Sequence, residues 1–96
     1  SGPAYYFFFM EAMIDKAKQL GFSEEVATLL VKQTALGASK MSMDQKTPVA
    51  QLRKNVTSPG GTTAMAIAEF EWRQLRQIVD DALDATIVRA KELSKI

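Results

Sequence analysis

The sequence has 96 residues, 47% of them hydrophobic, and a mass of 10.6 kDa, which fits one small domain with a modest core. Twelve Lys and Arg against eleven Asp and Glu give a net charge of +1, with 0 on residues 1–48 and +1 on residues 49–96; neither half is a polybasic or polyacidic arm, and composition gives no support for phosphate-driven nucleic-acid binding. With no Cys and no His, disulfides, thiolate zinc sites, thiol nucleophiles and imidazole bases are excluded within this sequence, and chemistry is left to carboxylates, Lys, Tyr, hydroxyls and backbone N–H groups.

The predicted elements run as follows. Pro3 suits the first turn of a helix, and the stripe Tyr6, Met10, Met13, Ala17 and Leu20 carries that helix to Gly21, a natural C-cap. The uncharged stretch from Ser1 to Met10 is about half the ~20 residues needed to span a bilayer, and it has neither the basic flank nor the cleavage site of a signal peptide. Tyr5 to Met10 is nevertheless apolar on every side of a helix, which asks for burial all round. We read this run as wrapped by a second subunit or by a further domain; the competing reading is a central core helix of a compact monomer.

Ser23 followed by Glu24 and Glu25 predicts a second helix start, by hydroxyl cap and helix dipole, and the helix should run to about Met43. In it Gly37, Ala38 and Ser39 form a small-residue patch suited to close helix crossing. Thr47-Pro48 opens a short helix to about Lys54, and Asn55 to Gly61 is a breaker segment. Thr62 or Thr63 is expected to cap the next helix. From Ala64 to Lys95 the pattern is helical without Gly or Pro, so one long helix and two consecutive ones are not separable by pattern. The fold class is all-α, with four to six helices in a single domain over residues 1–96.

The stretch Thr57-Ser58-Pro59-Gly60-Gly61-Thr62-Thr63 puts two glycines and two hydroxyls at a helix N-terminus, a place for a small anion such as a carboxylate. It also has the composition of an ordinary interhelix turn, with the threonines as caps. Glu11 and Asp15, four residues apart beside Lys16 and Lys18, read as a solvated face; Asp80, Asp81 and Asp84 read as exposed carboxylates before a cation site; Trp72 reads as a packing residue and the five Met residues as core filler.

Ser1-Gly2-Pro3-Ala4-Tyr5 with its aromatic run, Leu36 to Met41, Pro48 to Leu52, Val56-Thr57-Ser58-Pro59-Gly60-Gly61-Thr62-Thr63 and Arg89 to Leu93, in that order and spacing, resemble the C-terminal domain of pyrroline-5-carboxylate reductase. The resemblance covers essentially the whole sequence. It implies a helical dimerisation domain of the 6-phosphogluconate dehydrogenase C-terminal-like type, interleaved with a partner subunit. It further implies a longer enzyme that reduces 1-pyrroline-5-carboxylate to L-proline with NADPH or NADH, the last step of proline synthesis. The cofactor would lie on an N-terminal Rossmann domain absent from this sequence, so no cofactor and no metal is expected on these residues, and the piece alone should be inactive. A cytoplasmic homodimer, or a higher oligomer such as a decamer, follows from the same resemblance, with a small-molecule substrate and neither nucleic acid nor membrane as partner.

Carried onto this sequence, the resemblance implies that backbone N–H groups of Gly61, Thr62 and Thr63 hold the substrate carboxylate, with Gly60 also among the substrate-binding residues. It implies that Thr63 is the catalytic residue, its hydroxyl meeting the ring nitrogen and assisting its protonation, and that Val56 lies against the ring; Val56 as a buried loop anchor is the other reading. Three positions depart from the family pattern. Lys46 stands at an acidic position, Lys54-Asn55-Val56 replaces Asp-x-Val, and Arg73-Gln74-Leu75 replaces a Gly-Gly-Phe turn, which puts the helix break there in question. The two lysines reverse the local field and leave open a reductase of altered substrate preference or a relative without activity. Two other classes compete: a non-catalytic homodimerisation module, and a membrane-surface helix, the latter disfavoured because the apolar run lacks a Lys/Arg-rich face.

Overall fold

A computed structural model describes residues 2–44 and 46–95; the Ser1 of the opening motif lies outside them. Five helices and no strand occur among the described residues: α1 (Gly2–Gln19), α2 (Glu24–Asp44), α3 (Val49–Asn55), α4 (Thr62–Trp72) and α5 (Leu75–Ser94). The all-α expectation and the helix count hold. The chain divides between Val49 and Ala50 into two compact units.

In the first unit α1 ends as its sequence predicts. Gly21 takes φ +107°, its N–H donates to Lys18 O at 3.0 Å, and Phe22 N–H donates to Ala17 O at 3.2 Å, the paired bonds of a Schellman cap. Ser23 Oγ then accepts from Val26 N–H at 3.2 Å and caps α2. The chain therefore turns on hydrogen bonds that satisfy both helix ends, and α1 packs on α2. Ala27 (0% exposed) and Val31 (7%), one turn apart on α2, are the only buried side chains among the described residues. Met10, Ile14 and Ala17 form the half-buried stripe of α1. The Lys18–Glu24 ion pair across the turn, at 3.5 Å and well exposed, contributes little. The Gly37 patch is not a crossing point within the described residues of its own unit, because a Cβ built there meets nothing within 4 Å.

The second unit holds α3, α4 and α5. At the end of α3, Val56 N–H donates to Arg53 O (3.2 Å), Thr57 N–H to Lys54 O (3.1 Å), and the Thr57 hydroxyl also to Arg53 O. The unbroken pattern after Ala64 resolves into two helices. They are joined through Gln74, whose φ of 60° and ψ of 50° are left-handed, so the break stands at Arg73-Gln74 without the glycines that normally make one. That conformation costs a non-glycine residue about 1–2 kcal/mol. Four residues of α4 and α5, Ile67, Phe70, Leu75 and Val79, floor an open groove of about 380 Å³, rimmed by Arg53 and the Glu71–Arg76 ion pair.

Neither unit has a substantial core. Tyr6 and Phe8 are 74% and 75% exposed, and Trp72, Met13, Met41, Met43 and Met65 are exposed as well. The readings of Trp72 as a packing residue and of Met13, Met41, Met43 and Met65 as core filler therefore fail within a single chain, Met10 alone being half-buried, and so does a buried central α1. Total accessible surface is 8292 Å², whereas two separate compact bodies of half this mass would expose only about 6,600 Å². The physical reason is that the apolar residues outnumber the positions that two short helical units can enclose.

Candidate functional site

Thr57 leaves α3, and Ser58-Pro59-Gly60-Gly61 forms a tight turn closed by Gly61 N–H donating to Ser58 O at 3.0 Å. Pro59 supplies the fixed φ of the second turn position, and Gly60, at φ +73°, the left-handed third that a side chain would strain. Gly61 then sits at the N-cap of α4 in extended backbone, with no side-chain cap bond. A Cβ on Gly61 would stand 3.2 Å from Ser58 O, so the turn and the helix entry are compressed into one short segment.

The first helical bond of α4 runs from Met65 N–H to Gly61 O at 3.3 Å. Thr62, Thr63 and Ala64 are thus the residues whose N–H groups open the helix toward solvent, at the positive end of its dipole. The threonines do not cap: they lie one and two residues inside the helix, past the position from which a hydroxyl reaches back to these donors. The Gly61 N–H is spent on Ser58 O. That donor set differs by one residue from the one the resemblance implies, with Ala64 N–H in place of Gly61 N–H. The Pro-Gly pair at the turn's centre was the signal for this, since it makes Gly61 the closing donor.

Charge around the loop favours an anion. The first turn of α4 carries no acidic residue, and the last turn of α3 ends in Arg53 and Lys54. Thr62, Thr63 and Gly60 are exposed and Gly61 is half-buried. Val56 is 60% exposed, which removes the buried-anchor reading and leaves its side chain open to a ligand. Glu11, Asp15, Lys16, Lys18, Lys46, Asp80, Asp81 and Asp84 are all exposed; Asp81 accepts from Gln77 Nε2 at 2.9 Å. No helix among the described residues is long and apolar enough to cross a membrane.

An all-helical domain with an uncapped, glycine-led helix start and a surface in need of a partner is the class that these observations define. Over residues 1–93 the chain matches the pyrroline-5-carboxylate reductase dimerisation family, and it belongs to that family. Among curated relatives, the pyrroline-5-carboxylate reductase of Vibrio alginolyticus is 50% identical over 97 residues, covering 100% of this chain and 36% of its own length. That of Pasteurella multocida is 46% identical, with 100% and 35% covered. Among solved structures, the Coxiella burnetii pyrroline-5-carboxylate reductase superposes with a TM-score of 0.93 at 52% identity, over 97% of this chain and 34% of that one. The Plasmodium falciparum pyrroline carboxylate reductase, solved with NADP bound, gives 0.84 at 38% identity over 88% and 32%. The chain thus spans about a third of the length of the relatives it matches.

Proposed function

We propose that this chain is the dimerisation and substrate-binding domain of a cytoplasmic pyrroline-5-carboxylate reductase that uses NADPH or NADH to make L-proline. The observation that carries this reading is the α4 entry: Thr62, Thr63 and Ala64 N–H groups open to solvent behind a Pro59-Gly60 turn, in a chain of this family. The substrate carboxylate accepts hydrogen bonds from these donors and sits on the helix dipole without needing an Arg or Lys. Val56 provides an apolar surface for the methylene edge of the ring.

Reduction adds a hydride to the imine carbon and a proton to the nitrogen. A nicotinamide would supply the hydride when bound; a dinucleotide cradle needs a strand-turn-helix unit, so it belongs to another part of the longer enzyme. The Thr63 hydroxyl, one residue along the same helix turn, hydrogen-bonds the ring nitrogen. A threonine hydroxyl is too weak an acid to be the net source of the proton, so it orients the nitrogen and relays the proton from water. The apolar surface left by both units is covered by a second copy in an interleaved homodimer.

The test pairs the 96-residue chain with the longer enzyme. NMR titration of the chain with L-proline should shift the amides of Thr62, Thr63 and Ala64, and the longer enzyme should oxidise NAD(P)H only when 1-pyrroline-5-carboxylate is added. Silence of those amides in a folded dimer, with no turnover by the longer enzyme, would leave a homodimerisation module in which Lys46 and Lys54 mark a lost activity.

A further inference from the structure

We propose that Thr57 is a positioning residue for the substrate carboxylate: its hydroxyl fastens the Ser58 to Gly61 turn to the end of α3 and so holds the open N–H groups of Thr62, Thr63 and Ala64 in place. This rests on the reductase reading and adds to it a residue that touches no substrate atom.

The bond of this hydroxyl differs from the other hydroxyl-to-carbonyl bonds among the described residues. Thr34, Ser42, Thr86 and Ser94 also donate to a carbonyl three or four residues back, but each is exposed and lies inside the helix whose carbonyl it takes. Bonds of that kind add little to a helix that already stands. Thr57 lies two residues beyond the end of α3, is half-buried, and donates to Arg53 O. A helix leaves its last carbonyls without partners of its own, and here the loop supplies the donors. Arg53 O takes the Val56 N–H at 3.2 Å together with the Thr57 hydroxyl, and Lys54 O takes the Thr57 N–H at 3.1 Å. Thr57 is thus bound to α3 by both its main chain and its side chain.

Between Thr57 and α4 stands only the turn that Gly61 N–H closes on Ser58 O at 3.0 Å. Little else fixes the two ends. With 7 residues, α3 is too short to be stable alone. Packing in its unit is chiefly between α4 and α5, and α3 reaches them through Arg53 at the groove rim. The placement of Val56 relative to the three donors therefore depends on a path of bonds from Arg53 O through Thr57 and Ser58 O to Gly61, in which the Thr57 hydroxyl is the side-chain link. Without that hydroxyl, Arg53 O keeps the Val56 N–H, so no carbonyl is orphaned and the chain still folds. What is lost is order in the loop before the substrate arrives. Ordering that must be restored on binding raises KM and leaves the bound complex, and hence kcat, nearly as it was.

The test compares Thr57→Val and Thr57→Ser with the unaltered longer enzyme. Valine keeps the shape and loses the hydroxyl, so KM for 1-pyrroline-5-carboxylate should rise roughly twofold to tenfold, the worth of one neutral hydrogen bond, with kcat nearly unchanged. Serine keeps the hydroxyl and should restore KM. In the 96-residue chain, Thr57→Val should also speed amide exchange at Gly61, whose N–H closes the turn, and Thr57→Ser should not. An unchanged KM in Thr57→Val, or a rise shared equally by Thr57→Ser, overturns the positioning role. Absence of turnover by the unaltered longer enzyme overturns the reductase reading instead; exchange at Gly61 then decides the tether, faster exchange in Thr57→Val upholding it and unchanged exchange overturning it.

Discussion

Two helix starts in this chain are built from similar residues and do opposite things. Before α2, Gly21 closes α1, and Ser23 Oγ takes the Val26 N–H. Before α4, Gly61 occupies the cap position without a side chain, and the hydroxyls of Thr62 and Thr63 are displaced into the helix. The first junction spends its polar groups on the fold, while the second spends one N–H on its turn and leaves the next three open at the helix start. The difference is one of register: a hydroxyl at the N-cap satisfies the helix, and the same hydroxyl one or two residues later is free to act on something else.

The sharpest way to break this contrast is to give the second junction what the first has. Gly61→Asp in the longer enzyme places a carboxylate on the Thr63 and Ala64 N–H groups. A charge-assisted bond of about 1.5–3 kcal/mol should raise KM for the anionic substrate roughly tenfold to a hundredfold, with kcat less affected and the gain of the cap in melting offset by the 3.2 Å approach of the new Cβ to Ser58 O; an unaltered KM would show that the substrate does not use these donors. Thr63→Ala separates the hydroxyl from the N–H groups. It should lower kcat about tenfold, less than the hundredfold or more of groups that are themselves the acid or base, because the hydroxyl only orients and relays, while leaving KM and association in place, as steady-state kinetics and sedimentation would read. Gly60→Ala attacks the turn and should cost about 1–2 kcal/mol in denaturant unfolding, with a rise in KM as the donors shift.

At the first junction, Ser23→Ala should cost about 1 kcal/mol of stability and leave KM alone; a kinetic effect there would erase the distinction between the junctions. The smallest effect is expected at Gln74. Gln74→Gly removes the left-handed strain at the expense of backbone entropy, and should stabilise the folded state by about 0.5 kcal/mol, seen as a small rise in melting temperature.

Much of the local structure was legible. Pro3, Gly21, Ser23 with Glu24 and Glu25, and the Asn55 to Gly61 breakers each fix a helix end through the backbone groups next to them, so neighbours along the chain suffice to read them. The Thr57 to Thr63 loop was legible as a glycine-led helix start for the same reason. Its exact donors were not. Reading Thr62 and Thr63 as caps failed because capping depends on which residue stands at the boundary, and the Ser58 to Gly61 turn sets that boundary one residue earlier. The α4–α5 break was not readable from periodicity, because Arg73 and Gln74 are ordinary helix residues; only the resemblance, whose Gly-Gly-Phe turn falls there, put it in question.

The sequence by itself determined the class and the family: helical periodicity, caps and glycine positions are local, and the Val56 to Thr63 block survives reading as letters. It also determined that α1 must be covered, since no helix apolar on all sides rests in water. Only the tertiary structure decided that this cover is missing within one chain, that Gly61 rather than a threonine heads α4, and that residues 62–94 bend into a groove. Each of these depends on how surfaces meet across distance, and burial is a property of the packed molecule that the order of residues constrains without specifying.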